Sequence, residues 1–233
     1  MRSLPPRATI RLMSELTEGE KHMSSTVNLK GWAAVVIPAV VAACLLALLV
    51  ATKPADAAGK YRTVTKTFSN PSAISIPTGG AASPYPSAVA AGGMRRGKVL
   101  DANVTLNGFS HSYPRDVDVM LVGPGGHNAT IMSDVGGDDT TPANNLTLTL
   151  DDEAANSLTY SDALSSGAFK PTNETEDFFP APAPAQSGLV ALSSFDRTNP
   201  NGTWSLYVAD DQGFDGGQFA EGWSLTIRAR VLR

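Results

Sequence analysis

Three segments of this chain alternate apolar and polar residues with a period of two, and that alternation constrains the fold more than any other feature. In Leu100-Asp101-Ala102-Asn103-Val104-Thr105-Leu106 the apolar side chains share one face. Trp204, Leu206 and Val208 share another, and Trp223, Leu225, Ile227, Ala229 and Val231 repeat the pattern near the C-terminus. Such alternation marks strands buried on one face only. Gly79-Gly80, Gly92-Gly93, Gly123-Pro124-Gly125-Gly126, Gly136-Gly137 and Gly216-Gly217 break the chain between such runs and read as turns. The pattern predicts an all-β chain, two antiparallel sheets packed face to face. Asp151–Ala155 places acids where a helix N-terminus favours them and predicts at most one helical turn. Phe179-Pro180-Ala181-Pro182-Ala183-Pro184 is unfit for a sheet centre and reads as an extended surface loop.

Composition narrows the function classes. Of 233 residues, 42% are apolar and 17% charged, with 21 Gly and 16 Pro, which suits a turn-rich β domain with a real core. The formal net charge is −4 and basic residues do not cluster, which argues against nucleic acid as a partner. Cys44 is the single cysteine, so zinc-finger and disulfide-framework readings fail.

The N-terminal part reads as an address. Residues 1–31 are polar, patternless and open to a later start at Met13 or Met23. Trp32 to Ala51 is an almost unbroken apolar run flanked by Lys30 and Lys53, followed by the small-x-small triplet Ala55-Asp56-Ala57. A basic flank, an apolar stretch and such a triplet describe a secretory signal peptide over 32–57. The run also approaches the roughly 20 residues that span a bilayer, so an uncleaved membrane anchor is the alternative. Val41-Ala42-Ala43-Cys44 fits a lipoprotein box, but the apolar run continues well past Cys44. Residues 58–233 are then the mature β domain, secreted or tethered.

Two blocks carry a family resemblance. Asn199-Pro200-Asn201-Gly202-Thr203-Trp204-Ser205-Leu206-Tyr207-Val208 leads to Asp210-Asp211 and then to Gly222-Trp223-Ser224-Leu225-Thr226-Ile227. Earlier, Phe109-Ser110-His111-Ser112-Tyr113-Pro114-Arg115-Asp116 runs into Val117–Pro124, and Met132-Ser133-Asp134-Val135-Gly136-Gly137 follows. Together these resemble the P domain (the P/Homo B module) of kexin- and furin-like proprotein convertases, in its bacterial secreted-protein variant, over roughly residues 62–230. The resemblance implies a jelly-roll β-sandwich of the galactose-binding-like type. It implies a non-catalytic module that supports a subtilisin-like serine endopeptidase, with calcium dependence. The catalytic domain of such proteases is missing here. His111 and His127 are the histidines beyond residue 58, neither sits in a protease-like context, and no Gly-x-Ser-x-Gly elbow occurs.

The acidic residues are the candidate site. A hairpin centred on Gly125 sets Asp116 opposite Asp134 and Asp118 opposite Met132. Opposed carboxylates repel unless something lies between them. Calcium takes oxygen ligands of this kind, so Asp116, Asp118 and Asp134, with Asp138 or Asp139, form one expected calcium site. Asp210, Asp211 and Asp215 form a second cluster between the Trp204 and Trp223 strands. The opposing reading makes these acids turn formers and solubilising charges. His111 reads as a structural residue that hydrogen-bonds across a strand end, and His127 as exposed in its turn. Trp204 and Trp223 alternate with Leu, Val and Ile and read as core instead of sugar-stacking platforms. Tyr85, Phe178 and Phe179 are the candidates for an exposed contact surface. Five Asn-x-Thr triplets, at Asn103, Asn128, Asn145, Asn173 and Asn201, read as products of Thr-rich strands and Asn-rich turns. The expected function is therefore a stand-alone, non-enzymatic binding or stabilising module, its partner a subtilisin-like protease or a cell-surface component. A carbohydrate-binding module is the alternative.

Overall fold

The computed structural model describes residues 59–138, 140–175 and 179–233. The expectations for the N-terminal address, Cys44, Asp139 and Phe178 lie outside the described residues. Among those described, the fold is all-β, with fourteen strands and two single-turn 3-10 segments, Pro114–Asp116 and Leu192–Phe195. The strands are β1 (Tyr61–Asn70), β2 (Ile74–Ile76), β3 (Gly80–Ala81), β4 (Ser87–Ala91), β5 (Lys98–His111), β6 (Val117–Val122) and β7 (Asn128–Ser133). They continue with β8 (Ala143–Leu150), β9 (Asn156–Ser157), β10 (Gly167–Lys170), β11 (Thr172–Asn173), β12 (Gly202–Asp210), β13 (Gly217–Phe219) and β14 (Trp223–Leu232). The alternating runs of the sequence fall on β5, β12 and β14. Asp151–Ala155 forms a turn closed by Ala154 N–H donating to Asp151 C=O at 3.0 Å, with no helix.

One sheet runs β1-β14-β5-β8-β10-β9, with β13 pairing both β5 and β2. The other runs β11-β7-β6-β12-β3, with β4 also on β12. The sheets are mixed where fully antiparallel ones are expected from the sequence. β10 pairs parallel with β8 and β9, and β11 pairs parallel with β7. Parallel pairing needs a crossover instead of a hairpin. The long connection after β8 supplies it, laying β10 on one sheet and β11 on the other.

The apolar faces of β5, β14, β6 and β12 enclose one core, with Val104, Leu106, Leu121, Leu206, Leu225 and Ile227 fully buried. Trp204 and Trp223 are both 0% exposed, as the alternation predicts. A buried indole still requires a partner for its N–H. Trp204 Nε1–H donates to Pro200 C=O and Trp223 Nε1–H donates to Ser87 Oγ, each at 3.0 Å. Deleting either ring would cost about 3–5 kcal/mol.

A second, smaller apolar cluster lies on the far face of β6 and β12. Met120, Ala209 and Phe179 form it, with Val122, Tyr207 and Ala183 beside them. The Pro-rich segment covers this face as a strap. Phe179 is 8% exposed, Tyr85 packs edge-on to Tyr207 at 4.9 Å, and Tyr85 Oη–H donates to Pro180 C=O at 3.0 Å. Burial and the neighbouring Tyr207 push the Tyr85 hydroxyl up to about 12. The expected exposed surface at Tyr85 and Phe179 is therefore a clamp, because β6 and β12 carry apolar residues on both faces and need a cover. Asn128 is 6% exposed and joins this cover: its Nδ2–H donates to Ala185 C=O at 3.1 Å, and its Oδ1 accepts from Ser187 N–H at 2.9 Å.

Candidate functional site

β6 and β12 pair antiparallel with Asp210 opposite Val117, and Asp211 N–H extends the ladder to Asp116 C=O at 3.0 Å. This pairing brings the start of β6 beside the end of β12. The two acidic clusters of the sequence therefore meet at one end of the two-sheet body. Asp116, Asp134, Asp211 and Asp215 line a single cleft of about 430 Å³ with Tyr113, Arg115, Tyr160 and Phe214.

The β6–β7 hairpin has the expected register only near its turn. Val122 faces Asn128 and Met120 faces Thr130, but a bulge shifts the register so that Val119 faces Met132. A bulge inserts one unpaired residue and re-aims the side chains beyond it. Asp118 is thus no longer opposite Met132, and Asp116 no longer opposite Asp134. Asp118 is 1% exposed, lies opposite Ala209 of β12, and does not line the cleft. Asp138 is exposed and serves its own turn. Its Oδ1 accepts from Thr140 Oγ1–H at 2.6 Å and Thr140 N–H at 2.9 Å, and those bonds hold its carboxyl below the usual carboxylate range.

The acids at the cleft have different surroundings. Asp134 accepts from Ser133 Oγ–H at 2.9 Å and from the Thr175 hydroxyl. Asp215 accepts from Ser112 Oγ–H at 2.8 Å. Partial burial, then the Asp134 charge, pushes Asp211 up. Asp116 is 7% exposed, and burial together with the charges of Asp210, Asp211 and Asp215 raises it from 3.8 to about 6, against a small opposing effect of Arg115. The Arg115 guanidinium lies over the Tyr160 ring at 4.2 Å and the Tyr113 ring at 5.1 Å, and donates to the Tyr113 hydroxyl. Phe214, with φ 90°, stands fully exposed at the rim. Calcium needs six to eight oxygens at about 2.3–2.6 Å. Among the described residues no three carboxylate or imidazole groups gather closely enough to hold a metal ion.

His111, at the end of β5, is 2% exposed and does not line this cleft. Its Nε2 lies 3.1 Å from Asp210 Oδ2, and its Nδ1 lies 2.9 Å from Tyr113 C=O and 3.2 Å from Tyr113 N. A neutral ring donates through Nε2–H to Asp210 and accepts at Nδ1 from Tyr113 N–H. A charged ring donates at both ends. Either way both nitrogens are engaged inside the fold, in keeping with a structural role across a strand end. Gly217 makes room for the ring: a Cβ there would meet Ser110 O at 2.1 Å and His111 Cδ2 at 2.5 Å. Burial raises the Asp210 carboxyl, against the lowering effect of Gln212 N–H and His111. His127 is exposed in its turn, as expected.

Arg115, Tyr160 and Phe214 line the cleft without having been among the expected site residues. Phe214 had a local signal, a lone aromatic within Asp-Gln-Gly-Phe-Asp-Gly-Gly, where nothing nearby offers it a core. Tyr160 had none, because its place beside Arg115 depends on the fold of the β9–β10 segment. With Trp204 and Trp223 buried, the cleft's aromatic faces are Tyr113, Tyr160 and Phe214. Comparison with protein-family models, with curated proteins and with solved structures gives no match to this chain.

Proposed function

We propose that the chain is a non-catalytic binding or stabilising module, a stand-alone β-sandwich of the P/Homo B, jelly-roll type, secreted or held at the membrane by its N-terminal segment. The observation that carries this reading is the loop-end cleft, where acidic and aromatic side chains from the β5–β6 connection, the β7–β8 connection, the β9–β10 segment and the β12–β13 loop converge. Loops positioned by a rigid two-sheet scaffold are where such folds place their contacts. His111 supports the non-catalytic side of the reading, because its ring nitrogens face Asp210 and the Tyr113 backbone instead of a nucleophile. The partner is a subtilisin-like protease or another component of the cell surface.

Mixing the full-length chain, in nonionic detergent, with secreted subtilisin-like proteases tests this. The expected result is a complex on size-exclusion chromatography together with a higher melting temperature of the protease. Neither association nor any change in protease stability or activity would count against the protease partner.

Calcium is the second ligand reading, favoured by the buried Asp116 carboxylate alone. It requires the Asp211–Asp215 loop to close on Asp116 and Asp134. Calorimetric titration with calcium chloride should then give heat and a thermal shift, and a silent titration removes it.

A further inference from the structure

Asp116 is more than nine-tenths buried, lines the cleft, and among the described residues receives no hydrogen bond and forms no ion pair at its carboxylate. A carboxylate so largely withdrawn from water and open only to the cleft is costly to ionise, and folds ordinarily pair such a charge or remove it. The adjacent Arg115 does not pair it. Its guanidinium is spent on Tyr160 and the Tyr113 hydroxyl instead. The cleft wall therefore already shows how it receives a guanidinium: over an aromatic face, with a phenol oxygen in hydrogen-bond reach. Phe214 presents a second aromatic face at the rim, fully exposed.

The dimensions separate one kind of cation from another. A bare divalent ion needs its oxygens drawn together around a single point, which these carboxylates are not. A cleft of about 430 Å³ with separated carboxylates and aromatic walls suits a larger, flat, hydrogen-bonding cation. Guanidinium stacks on aromatic rings and donates two parallel hydrogen bonds to one carboxylate, whereas ammonium does neither as well. We infer that the cleft receives an arginine side chain of a partner polypeptide, with Asp116 as the carboxylate that meets the guanidinium, Asp211 and Asp215 flanking it, and Phe214 covering its face. This rests on the binding-module reading and names the chemistry of the partner.

The test is an NMR titration of the full-length, ¹⁵N-labelled chain in nonionic detergent micelles with N-acetyl-arginine amide. Its neutral isostere, N-acetyl-citrulline amide, is the control, and calcium chloride forms a separate arm. The expected result is a saturable shift of the amides of residues 113, 115, 116, 134, 160 and 211–215, with Kd on the order of 1 mM for a single side chain. Citrulline amide should bind at least about 10-fold more weakly, since it keeps the shape and loses the charge-assisted bonds. Asp116→Asn should weaken arginine amide by about 10-fold or more, and Asp211→Asn, at an exposed position, by a smaller factor. Both variants are checked by their melting curves. Equal binding of citrulline amide, shifts elsewhere on the surface, or an unchanged affinity in Asp116→Asn would overturn the assignment. Saturation of the same amides by calcium with no response to arginine amide would also overturn it and make the cleft a metal site. Protease association that persists without any arginine response overturns the arginine assignment alone. Arginine binding in the absence of protease association supports it and rejects only that partner.

Discussion

At the scale of single residues, the fold is pinned by polar groups that the core can hold only when paired. His111 and Asp210 are each about 2% exposed and meet at 3.1 Å between the ends of β5 and β12. Removing one partner of a buried pair leaves an uncompensated charge and costs about 3–5 kcal/mol. His111→Ala is therefore expected to lower the melting temperature by roughly 10 °C, taking about 2–4 °C per kcal/mol for a domain of this size. Asp210→Asn should cost distinctly less, because the new amide oxygen still accepts from Nε2–H. Thermal denaturation of both variants followed by circular dichroism checks this, and equal losses would show that the pair is not what holds the strand ends. The sequence displayed His111 as structural by default, since no nucleophile neighboured it. It did not display Asp210 as its partner, because the two residues lie 99 positions apart and meet only through the β5–β13 and β12–β6 pairings.

At the scale of elements, alternation located β5, β12 and β14 because each buries one face and exposes the other. β6 and β7 were less legible. Both are buried on nearly every residue, so their apolar runs do not state which side faces which sheet. That double burial is what the Pro-rich strap explains, and a local reading of prolines as surface loop catches its conformation but not its role. The bulge between Val119 and Met120 was also invisible, and a one-residue slip is enough to separate Asp116 from Asp134. The strap is anchored mainly at Asn128 and Phe179. Asn128→Ala removes the bonds to Ala185 C=O and Ser187 N–H while leaving the main core untouched. Hydrogen exchange should then accelerate at least 10-fold in residues 179–189 and stay unchanged in β5 and β14. Uniform acceleration across both sheets would show instead that strap and core unfold as one unit.

At the scale of the whole molecule, the fold penalises the charge of Asp116 where the binding reading needs a carboxylate. A folded-state carboxyl raised from 3.8 to about 6 means that the native state holds the Asp116 proton more tightly than the unfolded chain does. The charged form is then penalised: the contribution is nil below about pH 4 and turns destabilising as pH rises toward 6 and beyond. The groups facing Asp116 are Asp210, Asp211 and Asp215, with Arg115 opposing them and His111 behind Asp210. Asp116→Asn removes the penalty. The variant should match the parent near pH 4 and exceed it at pH 7.5 by about 1–2 kcal/mol, or roughly 2–8 °C in melting temperature. A parent that outlasts the variant at pH 7.5 would mean that the carboxylate is already paired in the fold. A side chain that weakens its own fold at neutral pH is the pattern expected of a site kept for a ligand.

The most direct test of that account is the titration of the Asp116 carboxyl itself, followed by ¹³C NMR in the full-length chain in nonionic detergent. A midpoint near 6 is expected in the free protein, with a fall toward the ordinary carboxylate range when N-acetyl-arginine amide is added. A free-protein midpoint near 4, unmoved by the added cation, would show that Asp116 already has its partner within the fold, and would contradict the claim that this cleft is a binding site.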